Sequence, residues 1–363
     1  MHKNQGPVDY ADYLHLNTFL DAQKPLSKKY GDECHDEMLF IVVHQSYELW
    51  FKHILHETRA IVRAWDRDFV PESELFSINH KLERIIKIQG LFLQHLEILE
   101  TMTPMEFLEF RELLIPASGF QSVQFREIEI RMGLRTDARQ GVDREYFMGR
   151  LKETDRQKLV AVEKEASLIE ILERWLERMP FTNSGQFNFW PAFQKAVQEM
   201  IASDRATIEN NLASLSEHEK KNQLENNRII EETFQSLFDE EKYKATQESK
   251  LRRISQKATL NALFIMLYRQ EPVLSYPFQV LNALTTIDEN FTNWRFRHSL
   301  MVHRMLGTKI GTGGSSGHQY LRKATDTNRV FVDLFNLATF IIPQSKLPQL
   351  PEGLKKTLQF QWR

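Results

Sequence analysis

Cysteine is nearly absent. Cys34 stands alone among 363 residues, so the chain closes no disulfide within itself and offers no cysteine-rich set for zinc or an iron–sulfur cluster. Glycine (14) and proline (12) are also scarce, and long stretches run without a helix breaker. Neither sign of charge prevails: 47 Lys and Arg stand against 49 Asp and Glu, a formal net charge of −2. A chain that neutralises nucleic-acid phosphates carries a marked basic excess, so nucleic acid is not an expected partner. No apolar run approaches the ~20 residues that cross a membrane. The opening residues, MHKNQGPVDYADYLHL, hold nothing like the apolar core of a signal peptide. The expected setting is cytoplasmic, without a membrane partner.

Aromatic residues are abundant, with 25 Phe, 9 Tyr and 6 Trp, and this volume is available to line a pocket. Helical periodicity dominates. Phe40, His44, Tyr47, Phe51 and Leu55 recur at steps of three and four within residues 36–55. Residues 77–100, 156–178 and 258–269 read as further helices, the last apolar nearly all round and therefore buried. No alternating run argues for a sheet, and no linker separates two folding units. The expectation is an all-α bundle in a single domain over 1–363. From Glu217 to Arg252, 16 of 36 positions are charged, so residues 203–252 read as a charged helical excursion on the surface.

Four features carry chemistry. In "RFRHSLMVHRMLGTKIGTGGSSGHQYLR", Trp294, His298, Met301 and Met305 share one helix face. His303 lies about 140° round from His298, off that apolar stripe. An imidazole among Trp and Met resists protonation and can offer a neutral nitrogen to a metal, or it can be a core histidine bonded to a carbonyl. The glycine loop that follows lacks the lysine of a P-loop and the register of a dinucleotide fingerprint. Its bare amides and hydroxyls suit an anionic small molecule, or they form a plain connection. His44 shares a face with Phe40, Tyr47 and Phe51, either as a core residue or as a hydrogen-bonding partner in an aromatic pocket. Arg111 sits four residues after Phe107 on a short helix ended by Pro116, either capturing a carboxylate or forming a structural ion pair. "HILHE", with His53, His56 and Glu57, contains part of a two-histidine-one-carboxylate site but reads better as a solvated flank. No histidine has a glutamate three residues before it, as di-iron bundles require, and no nucleophile elbow is present.

The blocks "HDEMLFIVVHQSYELWFKHILHE", "LETMTPMEFLEFRELLIPASGFQSVQFR" and "HRMLGTKIGTGGSSGHQYLR" are specific. So are "YADYLHLNTFLDAQ", "FNFW" and "VFVDLFNLATFIIP". Together, in this order, they resemble the tryptophan 2,3-dioxygenase family from about Tyr10 to Pro343. The resemblance implies a helical homotetramer holding one haem b (iron protoporphyrin IX) per subunit. It implies cleavage of the indole C2–C3 bond of L-tryptophan by O2 to N-formyl-L-kynurenine, the first step of the kynurenine pathway. His298 then corresponds to the proximal ligand of the haem iron, while His303 is no ligand. His44 corresponds to the distal histidine that bonds the indole N–H, and Phe40 to a ring packed on the indole. Arg111 and Thr312 correspond to the residues holding the carboxylate and ammonium ends. Phe107 stands where some relatives carry a tyrosine, and Ser118 matches a serine near the haem edge. Tyr10, Tyr13 and Leu14 match an N-terminal segment that completes a neighbouring subunit's pocket. The rival expectations are a relative acting on substituted tryptophans or inserting one oxygen atom, and a haem or tryptophan sensor without activity.

Overall fold

The helix-forming pattern is realised along the chain in the computed structural model, which describes residues 6–134, 148–184, 187–210, 216–309 and 317–359. The first helices are α1 (Tyr10–Leu14), α2 (Leu16–Leu20), α3 (Leu26–Tyr30), α4 (His35–Trp65), α5 (Glu72–Leu99) and α6 (Pro104–Arg111). Then come α7 (Val123–Met132), α8 (Glu153–Val162), α9 (Leu168–Glu177), α10 (Phe189–Asn210), α11 (Glu217–Phe238) and α12 (Glu240–Glu248). The series closes with α13 (Gln256–Leu267), α14 (Pro272–Leu306), α15 (Gly317–Thr327), α16 (Val332–Asn336) and α17 (Glu352–Leu358). Strand pairing among the described residues amounts to Asn183–Ser184 against Phe187–Asn188, so the fold is all-α.

Three long helices set the frame. On α4 the buried residues Val43, Tyr47, Phe51, Ile54, Thr58, Ile61 and Trp65 advance by threes and fours, and they turn one stripe inward. On α5 the same spacing runs through Leu75, Ile78, Leu82, Ile85, Ile88, Phe92, Leu96 and Leu99. Helix α14 packs along α5, and α5 along α4. One continuous apolar cluster joins these faces to α9, α10, α13 and the C-terminal Leu358. Buried polar groups are spent on fixing the backbone. The Gln89 amide donates to the Ile287 carbonyl at 3.0 Å. Asp288 accepts the N–H groups of Val330 and Phe331 at 3.1 and 3.0 Å, which anchors the chain after α15 to the middle of α14.

One sequence expectation needs correction. Residues 156–178 are not one helix: α8 ends at Val162 and α9 starts at Leu168. Ser167 and Glu170 form a capping box, with the Ser167 N–H donating to Glu170 Oε2 at 2.8 Å, and such a reciprocal pair starts a new helix wherever it falls. The entry to that turn is tight. Gly133, at φ 106°, closes α7 where a Cβ would meet Ile169 Cγ2 at 2.5 Å. The charged stretch forms α11 and α12 and is anchored to the core by apolar side chains. Phe234, Leu237 and Tyr243 are buried, and Phe234 meets the Phe340 ring at 5.5 Å.

Candidate active site

A cavity of about 300 Å3 opens between α4, α6, α7, α14 and α15. Its walls are aromatic and thioether: Phe40, Tyr47 and Phe51 from α4, Phe125 from α7, and Trp294, Met301 and Met305 from α14. Phe40 packs nearly parallel to Phe107 at 5.8 Å and meets Phe110 edge-on at 5.6 Å, so α4 and α6 make a flat-sided slot.

Two histidines line this cavity, and their surroundings differ. His298 stacks on Trp294 one turn earlier, with centroids 5.6 Å apart and planes 27° from parallel. Its Nδ1 is buried without a hydrogen-bond partner, so the core-histidine account, which needs a carbonyl there, does not hold. The surface His298 retains lines the cavity, and the protein packed around it still desolvates the ring. Burial, helped by the repulsion that His44 would exert if both rings were protonated, pushes its pKa down to about 4. His44 does have its carbonyl: Nδ1 lies 2.7 Å from Phe40 O. A carbonyl only accepts, so Nδ1 carries the proton and Nε2 of the neutral ring keeps a lone pair. Burial lowers the His44 pKa, against opposing effects of that bond and of Glu48.

Polar groups converge at two ends. Arg111, buried on α6, donates from Nη1 to Glu112 Oε1 at 2.9 Å while lining the cavity. At another corner Glu129 Oε2 accepts from Arg126 at 2.6 Å and Oε1 from Arg295 at 3.0 Å. Arg295 also donates to Asn328 O at 2.8 Å. Two guanidiniums meet at one carboxylate in this corner of a largely apolar chamber, and guanidinium donors of this kind suit the carboxylate of a ligand. Glu48, Arg126, Glu129 and Arg295 escaped the sequence reading. A signal for each existed: Glu48 lies four residues after His44, Arg126 and Glu129 are three apart, and Arg295 is three before His298.

Among the described residues, no cluster of three or more His, Cys, Asp or Glu is arranged to hold a metal. "HILHE" is an ion-paired flank: Glu57 takes Arg84 at 2.6 Å and His53 at 3.3 Å. His303 is exposed and pairs with His318, centroids 4.2 Å apart, outside the cavity lining. A lone imidazole in a dry cavity holds a metal only when the metal brings its other ligands with it, as in a porphyrin.

The family model for tryptophan 2,3-dioxygenase matches residues 1–341. The tryptophan 2,3-dioxygenase of Alteromonas mediterranea is 46% identical over 360 residues, 99% of each chain. That of Bdellovibrio bacteriovorus is 44% identical, covering 98% of this chain and 99% of its own. That of Dictyostelium discoideum is 43% identical, covering 99% of this chain and 90% of its own. The chain belongs to the tryptophan 2,3-dioxygenase family.

Of the residues that the family resemblance singled out, the structure brings Phe40, His44, Phe107, Arg111, Ser118 and His298 to the same cavity. Thr312 lies outside the described residues. Tyr10, Tyr13 and Leu14 do not line the cavity of their own chain. They sit on α1, with Tyr10 and Tyr13 each 73% exposed.

Proposed function

We propose that this cavity holds haem b through His298, with L-tryptophan on the His44 side, and that here the chain carries out the family's reaction. The observation that carries this reading is a neutral imidazole on the cavity wall whose Nδ1 finds no protein partner. The rest of the chamber fits the group: flat aromatic and methionine walls for the macrocycle, and the Arg126–Arg295 corner for its carboxylates. When bound, ferrous haem supplies the activation of O2, and both oxygen atoms enter N-formyl-L-kynurenine.

The protein's own residues bind and orient. His44 Nε2, left as an acceptor by the bond from Nδ1 to Phe40 O, receives the indole N–H and so decides which edge of the ring is presented. Phe40 and Phe107 hold the ring plane. The Arg111 guanidinium, fixed by burial, takes the substrate carboxylate in a fork that a lysine could not reproduce. Phe107 offers no hydroxyl to that carboxylate. Phe107→Tyr is therefore expected to lower the KM for tryptophan severalfold with little change in kcat, measured from initial rates. Apolar walls exclude water, which strengthens these polar contacts.

The exposed α1 segment supports a homotetramer in which Tyr10, Tyr13 and Leu14 close a neighbour's pocket. Sedimentation of the haem-loaded chain tests the assembly. For the function itself, the test is anaerobic reduction followed by air and L-tryptophan, with the haem bands and the ultraviolet absorbance of product followed together. Product at a rate set by haem content is expected. Absence of product from a haem-loaded chain would leave only a binding role.

A further inference from the structure

Metal-binding histidines ordinarily have their second nitrogen held by a carbonyl or carboxylate, which fixes the ring's rotation. His298 lacks that restraint, since its buried Nδ1 has no partner. Its ring lies instead against Trp294 at 5.6 Å, 27° from parallel. Trp294 is tethered in turn: its Nε1–H donates to Tyr47 Oη at 3.3 Å, and the Tyr47 hydroxyl donates to Phe92 O at 2.6 Å. The bonds run one way from α14 through α4 to the backbone of α5. Phe125 at 5.2 Å and Phe92 at 5.9 Å close on the indole from other sides. Burial raises the Tyr47 hydroxyl far above the usual phenol range, so it remains protonated and both bonds persist.

We propose that Trp294 and Tyr47 are positioning residues for His298: a stacked and hydrogen-bonded relay across three helices sets the plane of the iron ligand where a polar partner would normally do so. The relay rests on the reading of His298 given above. It explains why a tryptophan stands one turn before the ligand, since phenylalanine would stack but could not be tethered. It also gives Tyr47 a task beyond packing, because its oxygen is the relay's only polar joint.

The test uses the haem-loaded chain and two readouts besides turnover: the iron–histidine stretching band of the ferrous protein, and the rate of haem transfer to excess apomyoglobin. Trp294→Phe keeps a ring and removes the tether, so the band shifts or broadens and haem loss quickens about threefold. Trp294→Leu removes the stack as well, and loss quickens about tenfold, in line with the known worth of an aromatic pair. Tyr47→Phe reproduces the band change of Trp294→Phe. The double variant Tyr47→Phe/Trp294→Phe adds nothing further to the band change, because both changes break the same Trp294–Tyr47 bond that holds the indole. An unchanged band and rate in Trp294→Phe would overturn the relay, and that variant decides alone should Tyr47→Phe not fold. Additive effects in the double variant would also overturn it, by showing two independent packing losses. A wild-type chain without a histidine-ligated haem spectrum would instead overturn the underlying reading of His298 together with the relay.

Discussion

Helix α4 carries histidines in two settings that differ in partners and not in residue type. Near its start, His44 faces an aromatic cavity and bonds only the carbonyl of Phe40, one turn back. Farther along, His53 and His56 stack at 5.9 Å beside Glu57, which is also bonded to Arg84. The second group is the richer in conventional ligand types, yet its charges satisfy one another. His298 has been left with a buried ring nitrogen that no protein group satisfies, where an unused polar group is expensive unless a ligand takes it. His44 keeps a lone pair on a ring that is still open to the exterior. The proposed site therefore rests on a group the protein leaves unsatisfied, and the count of candidate ligands is a poor guide.

Substitutions at the two settings should therefore part company. The largest effect belongs to His298→Ala, which is expected to abolish normal haem ligation, seen as loss of the wild-type Soret spectrum on reconstitution. Next comes His44→Ala. On the proposed role, in which His44 orients the substrate and takes no proton that the reaction must shed first, turnover should fall by about 100-fold, the scale of a misplaced reactant, with haem content unchanged. Complete inactivity at full haem loading would contradict the orienting role. Glu57→Gln should leave turnover alone and cost about 1–2 kcal/mol in urea unfolding, since it weakens a buried charge-assisted bond to a half-exposed arginine. His56→Ala should fall within about 0.5 kcal/mol of wild type, as surface changes usually do.

Acid sharpens the same contrast. The His298 pKa lies near 4 in the fold against ~6.5 in an unfolded chain. The unfolded state binds the extra proton first, so this residue withdraws stability as pH falls from about 6.5 to about 4. In haem-free protein, the fall in urea midpoint between pH 7 and pH 5 should be smaller for His298→Leu than for wild type. In loaded protein, the proposed ligation sets the same proton in competition with iron, so haem release should steepen as pH approaches 4.

Much of this was legible in sequence because it is local. The three-and-four spacing on α4 identified its inward face, and the same rule placed His298 and not His303 on the Trp- and Met-lined stripe. Helix boundaries failed where a short-range device overrode the periodicity, as at Ser167 and Glu170. The Arg126–Arg295 corner was illegible for another reason. Arg126, Glu129 and Arg295 come from two helices far apart in the chain, and only packing reveals that two guanidiniums share one carboxylate. Tyr47 and Trp294 were visible as members of apolar stripes, but the bond between them spans α4 and α14. The anchoring of the charged excursion through Phe234, Leu237 and Tyr243 is likewise a contact between distant segments.

The central claim is that a partnerless imidazole on α14 is the iron ligand. The ferrous spectrum of the haem-reconstituted chain, recorded beside His298→Ala and His303→Ala under identical conditions, tests it most directly. A five-coordinate histidine-ligated spectrum in wild type and His303→Ala, lost in His298→Ala, is the predicted result. Retention of that spectrum in His298→Ala would contradict it.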